Sequence, residues 1–372
     1  MANILDYIKW RGDLGFEQAA FNEVDGLILS QLSYLDFGRV LQREEDAMPL
    51  KEAAALYFMA NDGDAAREGL LIPQEIHPML KLLAKTRRFG NVLLSGYENH
   101  IIPERTEQFS AVTADVTDSL RIVSYRGTDD SIVGWKEDFN LATSTCVPAQ
   151  KDALAYLLKA AEKAPKARLV TLGHSKGGNL SIYAASMAPE CVRKRILRCW
   201  SYDGPGFRRA FLQEEGCRSL ASRICVIRPA NATVGVLMCV PGKVVHVNSS
   251  VRGLMAHSGF SWEVLGGRFV RAAGQAKSSK AFEQAMDNVL KDMSEPEIRS
   301  FADEFFGALT TAGSRTLMEL SNLKLQDTLR VAAAMMKNEK IHSVGKQFAE
   351  AMFSAILSER GRLSLQKGGK EL

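Results

Sequence analysis

Along the first 90 residues, apolar positions repeat with the period of an α-helix. Between residues 22 and 35 apolar side chains recur every three or four positions, and Asn22 stands where a helix cap is expected. The same period predicts helices over residues 50–61 and 78–88, the second ending before Gly90. The chain therefore begins with helices.

The pattern changes after residue 90. Three short β-prone runs separated by turn residues, at 91–97, 108–117 and 119–125, predict antiparallel hairpins. Predicted strands then alternate with helices. One of these helices follows residue 172 and runs to about residue 195, and another lies near 207–215. These strands cover residues 120–125, 167–172, 197–202, 223–227 and 244–247. Such alternation is typical of βαβ units, so we expect an α/β fold with a mostly parallel sheet and helices on both faces.

Beyond Gly274 only helical periodicity remains. Helices are predicted over residues 280–293, 295–309, 326–337 and 345–357. We therefore divide the chain into an α/β domain over residues 1–270, with a helical part at 1–90, and an all-helical extension over residues 271–372.

Composition narrows the classes of function. The net charge of +4, from 47 Lys and Arg against 43 Asp and Glu, is too small to indicate a nucleic-acid partner. The N-terminus has no signal-peptide pattern, and no apolar window is long enough for a transmembrane segment. The six cysteines lack CxxC pairs and zinc spacing. We expect a cytoplasmic protein, and no metal or cofactor is implied.

The sharpest motif is the G-x-S-x-G sequence from Gly173 to Gly177. It follows an apolar β-type run and precedes an amphipathic helix, the context of a nucleophile elbow. Glycines on either side let the strand and helix approach, and the backbone N–H of Lys176 can stabilise an oxyanion. Ser175 is the candidate nucleophile; the plainer interpretation is a glycine-rich turn with an incidental serine.

A base and an acid are sought downstream of Ser175, in the order that α/β hydrolases use. His257 follows the last predicted strand, whereas His174 is expected to point away from the site. No Asp or Glu occurs between residues 216 and 262, which leaves Asp203, just after a strand, as the candidate acid. Asn231, after the next strand, is the alternative third member, in a Ser-His-Asn arrangement.

An oxyanion hole also needs a donor from a loop after an earlier strand. Thr128 follows the β-type run that ends at Tyr125, and it offers both a backbone N–H and a hydroxyl. Asp138, ten residues later, is expected to pair with Arg126 and fix this loop.

Taken together, these motifs resemble the class 3, fungal-type lipase branch of the α/β hydrolases. The motifs that carry the resemblance are Tyr-Arg-Gly-Thr at 125–128, Trp-x-x-Asp at 135–138 and G-H-S-x-G-G at 173–178. Four segments resemble the bacterial Mbeg-like family within that branch more closely: the opening residues 3–37 and the sequences QFSAV, DGPGF and HSGFSW. The resemblance covers most of residues 3–265 and implies an α/β-hydrolase fold.

The resemblance also implies roles for individual residues. Ser175 would be the nucleophile, His257 the base, and Thr128 with Lys176 the oxyanion donors. In fungal-type lipases the acid follows the strand after the one that carries the DGPG-like turn, where this chain has Asn231. Asp203 would then act from the end of the preceding strand.

Two functions remain open from the sequence. The first is a serine hydrolase of lipase or esterase type that cleaves an ester or thioester of a small acyl substrate, lipids included. The second is a catalytically weak or inactive hydrolase-fold protein that binds an acyl ligand or a protein partner. The sequence selects neither the substrate nor the oligomeric state.

Overall fold

Eight strands form one sheet whose spatial order is the order of the chain. The first four strands pair antiparallel, and the fourth to the eighth pair parallel. They are β1 (Ala47–Pro49), β2 (Leu93–Ile102), β3 (Glu107–Thr117), β4 (Leu120–Tyr125), β5 (Arg168–His174), β6 (Ile196–Tyr202), β7 (Ile224–Pro229) and β8 (Lys243–Val247). A separate hairpin consists of β9 (Val264–Leu265) and β10 (Arg268–Phe269). The antiparallel hairpins and the parallel half are as predicted.

The computed structural model describes residues 1–43, 46–61, 73–129, 131–292 and 296–297. The chain divides into two compact units, residues 1–287 and 288–372, and the first contains the whole sheet. The predicted boundary at residue 270 falls inside this first unit. Apart from helical positions 296–297, the helices predicted at 295–309, 326–337 and 345–357 lie outside the described residues.

Eleven helices lie within the described ranges. They are α1 (Ile4–Arg11), α2 (Glu23–Leu32), α3 (Leu50–Ala60), α4 (Ile76–Ala84), α5 (Arg87–Gly90), α6 (Ile132–Thr143), α7 (Pro148–Lys163), α8 (Lys176–Met187), α9 (Glu190–Arg193), α10 (Glu215–Leu220) and α11 (Lys277–Asp292). Asn22 caps α2 as predicted, because its side chain accepts hydrogen bonds from the backbone N–H groups of Val24 and Asp25. No helix in these ranges is long and apolar enough to cross a membrane.

Three helix predictions were wrong in detail. The helix expected over 78–88 is divided into α4 and α5, because Thr86 between them has an extended ψ of 147°, and α5 includes Gly90. The helix expected near 207–215 is a 3-10 turn over Arg209–Gln213, followed by α10. Glu214, between them, has an extended ψ of 134°, so helical geometry cannot continue through it. The helix after the G-x-S-x-G motif ends at Met187 instead of running to about residue 195. Pro189 follows, and a proline disfavours helical geometry in the residue before it.

The two faces of the sheet are covered by different parts of the chain. Crossovers between neighbouring parallel strands are right-handed, so consecutive strands place their connecting helices on the same face. Helices α7, α8 and α10 pack there against side chains such as Val123 and Leu169. Ile122 and Val170, which alternate with them along the strands, face α2, α3 and α4 from the N-terminal part. The first 90 residues therefore cover the face that the crossovers leave open.

A buried ion pair fastens the N-terminal helices together. The Nη2 and Nε atoms of Arg88 lie 2.5 and 2.8 Å from the two carboxylate oxygens of Asp25, and both side chains are fully buried. Tyr7 donates a further hydrogen bond to Asp25 at 2.9 Å, and Arg88 also donates to the backbone oxygen of Ala19. Each charge is thus satisfied by the other and by polar neighbours.

Removing one member of this pair will destabilise the protein strongly. We expect Arg88→Ala to lower the free energy of unfolding by about 3–5 kcal/mol, because the Asp25 carboxylate would stay buried without its partner. Urea denaturation followed by circular dichroism measures this change. Arg87→Ala, at the exposed neighbouring position, is the control and is expected to change stability by less than about 0.5 kcal/mol. Equal effects of the two substitutions would contradict the prediction.

Candidate active site

Ser175 alone separates β5 from α8. Its φ of 57° and ψ of −134° belong to a region that residues other than glycine rarely adopt, at a typical cost of about 1–3 kcal/mol. The flanking glycines make the turn possible: a Cβ on Gly173 would lie 2.3 Å from the backbone of Gly177, and one on Gly177 would lie 2.1 Å from the carbonyl oxygen of Tyr125. The Ser175 side chain makes no capping hydrogen bond to α8. The serine thus stands on a sharp strand-to-helix turn.

Sheet register aligns the ends of the neighbouring strands with this turn. His174 is opposite Tyr202 on β6, and Tyr202 is opposite Ile227 on β7. The residues that follow these positions therefore meet at the carboxyl edge of the sheet, where α/β proteins collect their functional groups. Ser175 and Asp203 are two of them, and the backbone N–H of Ser175 bonds to the Tyr202 carbonyl oxygen at 3.0 Å.

Asp203 and His257 form a direct pair. The Oδ2 atom of Asp203 lies 2.6 Å from Nδ1 of His257, which ends a short 3-10 turn at Gly253–His257. The carboxylate is fully buried, whereas the imidazole is one-fifth exposed. A histidine held through Nδ1 by a buried carboxylate keeps Nε2 for exchange with a reacting group.

The pKa of Asp203 is subject to opposing influences, and burial, the largest of them, leaves it above its usual value. Burial raises the pKa of Asp203, while the hydrogen bond and charge of His257 and the charge of Arg228 lower it. The second oxygen, Oδ1, accepts a hydrogen bond from the backbone N–H of Gly235 at 3.1 Å. A Cβ at Gly235 would lie 2.3 Å from that oxygen, so only glycine brings its N–H this close. Both carboxylate oxygens therefore have a donor.

Asn231 does not join this pair. Its side-chain nitrogen donates to the backbone oxygen of Val251 at 3.3 Å. It also lines a cavity of about 470 Å³ between the loops after β7 and β8 and the start of α11, and that cavity is not lined by Ser175, Asp203 or His257. Of the two candidates for the third member, the structure brings only Asp203 into contact with His257.

His257 lies beside the serine turn. Its backbone oxygen is 2.7 Å from Nε2 of His174, the residue before Ser175, and the two imidazole rings are 4.5 Å apart. The expectation that His174 points away from the site was therefore wrong. Its ring contacts the residue that pairs with Asp203.

The loop that contains Thr128 packs against the serine. A Cβ added at Gly127 would lie 2.9 Å from the Cβ of Ser175. The Thr128 hydroxyl donates to Oδ2 of Asp138 at 2.5 Å, and Arg126 pairs with Asp129 at 3.2 Å. The expected pairing of Asp138 with Arg126 was wrong, because the Arg126 guanidinium bonds to Asn99 and Asp129 instead. Asp138 instead orients the Thr128 hydroxyl.

Lys176 contributes its backbone and its side chain in different ways. As the first residue of α8, it has an N–H without an intrahelical partner, next to Ser175. Its ammonium group is fully buried and lies 2.9 Å from Glu137 on α6, 2.8 Å from the backbone oxygen of Gln108 and 2.5 Å from the Gln108 side chain. The three protons of the ammonium group are thus used inside the protein, which leaves only the backbone N–H for a ligand.

One group of side chains in the described ranges resembles a metal-binding set. Donor atoms of His100, Glu107 and Asp152 lie within 4.8 Å of one another. The imidazole of His100 already lies 3.4 and 3.3 Å from the two carboxylates, and Arg105 pairs with Glu107 at 2.8 Å. This group shares no residue with the serine turn or with the Asp203–His257 pair.

A parallel sheet with a strained serine turn after a central strand, and an Asp–His pair at the same edge, is typical of the α/β-hydrolase fold. Residues 83–307 match the model of the Mbeg1-like family, and the chain belongs to that family. No curated protein matches the sequence.

Similar solved structures include two lipases and a third protein, MDLA. The chain is 15% identical to M37 lipase (58% of this chain and 70% of that one covered, TM-score 0.33). It is 14% identical to a fungal lipase solved with an inhibitor (60% and 78% covered, TM-score 0.33). It is 13% identical to a mutant form of MDLA from Penicillium cyclopium (62% and 87% covered, TM-score 0.35).

Asp138 makes the stability of the protein depend on pH. Burial raises its pKa from 3.8 to about 6, and its Oδ1 atom is buried without a hydrogen-bond partner in the described part of the chain. Because the folded pKa lies above the unfolded one, ionisation of Asp138 disfavours folding, and this loss develops as the pH rises from about 4 through 6.

Relative to Asp138→Asn, we therefore expect the wild type to lose about 2–3 kcal/mol of stability between pH 4 and pH 8. Urea unfolding at both pH values measures the difference. Asp118→Asn, on the exposed turn between β3 and β4, is the matched control. A difference between wild type and Asp138→Asn that is the same at both pH values would contradict the prediction.

Proposed function

We propose that this protein is a serine hydrolase of lipase or esterase type, which cleaves an ester or thioester bond of an acyl substrate through an acyl-enzyme. The observation that carries the proposal is the Asp203–His257 contact of 2.6 Å beside the strained turn of Ser175. A buried carboxylate that orients a histidine next to a serine at the carboxyl edge of the sheet is the arrangement that activates a hydroxyl for nucleophilic attack.

Acylation begins when the Ser175 oxygen attacks the carbonyl carbon of the substrate. His257 accepts the serine proton at Nε2, and Asp203 stabilises the imidazolium through Nδ1. The negative charge that develops on the carbonyl oxygen is met by the backbone N–H groups of Thr128 and Lys176. His257 then donates its proton to the leaving alcohol or thiol as the bond to the acyl carbon breaks.

Deacylation repeats these steps with water. His257 takes a proton from a water molecule, the resulting hydroxide attacks the acyl carbon, and the imidazolium returns the proton to Ser175 as the acid leaves. The enzyme is regenerated, and the net reaction consumes one water molecule for each ester or thioester bond.

The hydrogen bond from Thr128 to Asp138 supports the oxyanion role. It uses the single proton of the hydroxyl and fixes the Thr128 loop in advance, so that the backbone N–H of Thr128 needs no reorientation when charge develops. Lys176 supports the same role indirectly, because its buried contact with Glu137 ties the first turn of α8 to α6, the helix that carries Asp138.

The proposal predicts covalent labelling by a fluorophosphonate. The wild type should gain the mass of one phosphonyl group in intact-mass spectrometry, and Ser175→Ala should gain none, because the attacking oxygen is gone. We expect His257→Ala and Asp203→Asn to slow labelling by about 10³- to 10⁴-fold, since the base is lost or held in the wrong tautomer.

Asn231→Ala is the matched control for Asp203→Asn and should label at the wild-type rate. If a folded wild type never reacts, the hydrolase proposal fails and the function as a binding protein for an acyl ligand or partner is favoured. If Asn231→Ala loses reactivity while Asp203→Asn keeps it, the acid has been assigned to the wrong residue.

The oxyanion donors give a separate prediction. Thr128→Val keeps the shape of the side chain and the backbone N–H but removes the hydroxyl. We expect turnover of an activated ester, such as p-nitrophenyl butyrate, to fall by about 10²-fold in kcat with a smaller change in KM, because loss of the bond to Asp138 releases the loop whose backbone N–H acts on the charge of the transition state. A loss confined to KM would assign Thr128 to substrate binding instead.

A further inference from the structure

His174 contacts two residues that are far from it in the sequence. Its Nε2 atom lies 2.7 Å from the backbone oxygen of His257, and its Nδ1 atom lies 3.0 Å from the hydroxyl of Tyr34, which follows α2. The His174 side chain is almost wholly buried. Both ring nitrogens are therefore engaged, one with the loop of the proposed base and the other with the N-terminal part of the chain.

The partners determine which nitrogen carries the proton. A carbonyl oxygen only accepts, so Nε2 of His174 must be protonated and donate to His257. Burial and the nearby His257 lower the pKa of His174 to about 3, which keeps the ring neutral and leaves Nδ1 as an acceptor. Tyr34 must then be the donor to Nδ1, and burial raises the pKa of its hydroxyl, which keeps that proton in place.

We propose that His174 is a positioning residue: in its neutral Nε2–H form, oriented by Tyr34, it holds the backbone of His257 so that the imidazole of His257 stays paired with Asp203 beside Ser175. The catalytic consequence rests on the proposed function, whereas the positioning itself does not. Neither Tyr34 nor His174 touches the reacting atoms in this scheme.

His257 needs such a support because it lies in a loop. The segment around it contains only short 3-10 turns, and loops of this kind are more mobile than the elements that they connect. The neighbouring carbonyl oxygen of Ala256 is held by the indole N–H of the fully buried Trp262 at 2.9 Å. His174 fixes the next carbonyl group, directly behind the imidazole that pairs with Asp203.

Tyr34 extends the contact to the oxyanion loop. A Cβ added at Gly127 would lie 2.1 Å from the Tyr34 hydroxyl oxygen, so this oxygen packs directly against the backbone that leads into Thr128. One buried hydroxyl thereby touches the loop of the proposed oxyanion donor and, through His174, the loop of the proposed base.

Four variants separate positioning from simple packing. Tyr34→Phe removes the hydroxyl and keeps the ring. His174→Phe keeps an aromatic ring beside His257 but removes the N–H donor, and His174→Gln returns an N–H donor at a similar reach. Tyr57→Phe is the matched control, because Tyr57 is also buried and bonds to another histidine, His77, within the N-terminal helices.

Two readouts are measured on each full-length variant. One is the ¹H–¹⁵N signal of the His257 Nδ1 proton, which the bond to Asp203 moves to low field. The other is the rate of fluorophosphonate labelling. We expect Tyr34→Phe to slow labelling by about tenfold and His174→Phe by about 100-fold, with the His257 signal shifted or broadened in both. His174→Gln should recover part of the rate, and Tyr57→Phe should match the wild type.

The outcomes distinguish the two proposals. In one outcome the wild type labels, and both Tyr34→Phe and His174→Phe label as fast as the wild type with an unchanged His257 signal. The positioning role is then overturned and the hydrolase proposal stands. If the wild type does not label, the hydrolase proposal fails and the NMR signal alone decides the positioning role. An unchanged signal then overturns it, and a shifted signal in both variants supports it. Should His174→Phe fail to fold, Tyr34→Phe decides both readouts.

Discussion

The passage of the chain from β5 to α8 through the single residue Ser175 is the constraint that organises this molecule. A backbone with φ of 57° cannot relax without moving the strand or the helix, and both are buried against their neighbours. The turn also needs the backbones of Gly173 and Gly177 in close approach. Local strain of this kind persists only where the surrounding packing over-determines it. The eight-stranded sheet and its helices supply that packing.

The two faces of the sheet contribute different halves of the site. Helices α6 and α8 contribute from the crossover face. The buried pair of Lys176 and Glu137 joins them, and the loop of Thr128 leads into α6. From the N-terminal face comes Tyr34, whose hydroxyl reaches His174 at the end of β5. The helical first 90 residues are therefore part of the site and not merely a cover for apolar strands.

Much of this arrangement could be predicted from the sequence because its signals are local. The period of apolar residues located most strands and helices, and the G-x-S-x-G motif located the turn. Other features depend on backbone geometry or on contacts between residues that are far apart in the sequence. Glutamate is compatible with a helix, so nothing in the residue type of Glu214 predicts the break before α10. The break is visible only in the backbone angles of Glu214. Arg126 and Thr128 lie two residues apart on one loop, and which of them Asp138 meets depends on the backbone path of that loop, which their spacing does not decide. Tyr34 and His174 are 140 positions apart, and no pattern in the sequence connects them.

The sequential strand order has a consequence for how the protein folds. The N-terminal helices leave the ribosome before the strands against which they pack, β4 to β8, and β8 is synthesised about 230 residues after α1. Contacts of such high sequence separation close long loops and slow folding. A nascent chain that already contains the Ser175 turn has neither Asp203 nor His257, and its early helices have no sheet to cover. The contact between Asp203 and His257 beside the Ser175 turn therefore forms only after residue 257 has been synthesised, when the strands of the sheet are already present.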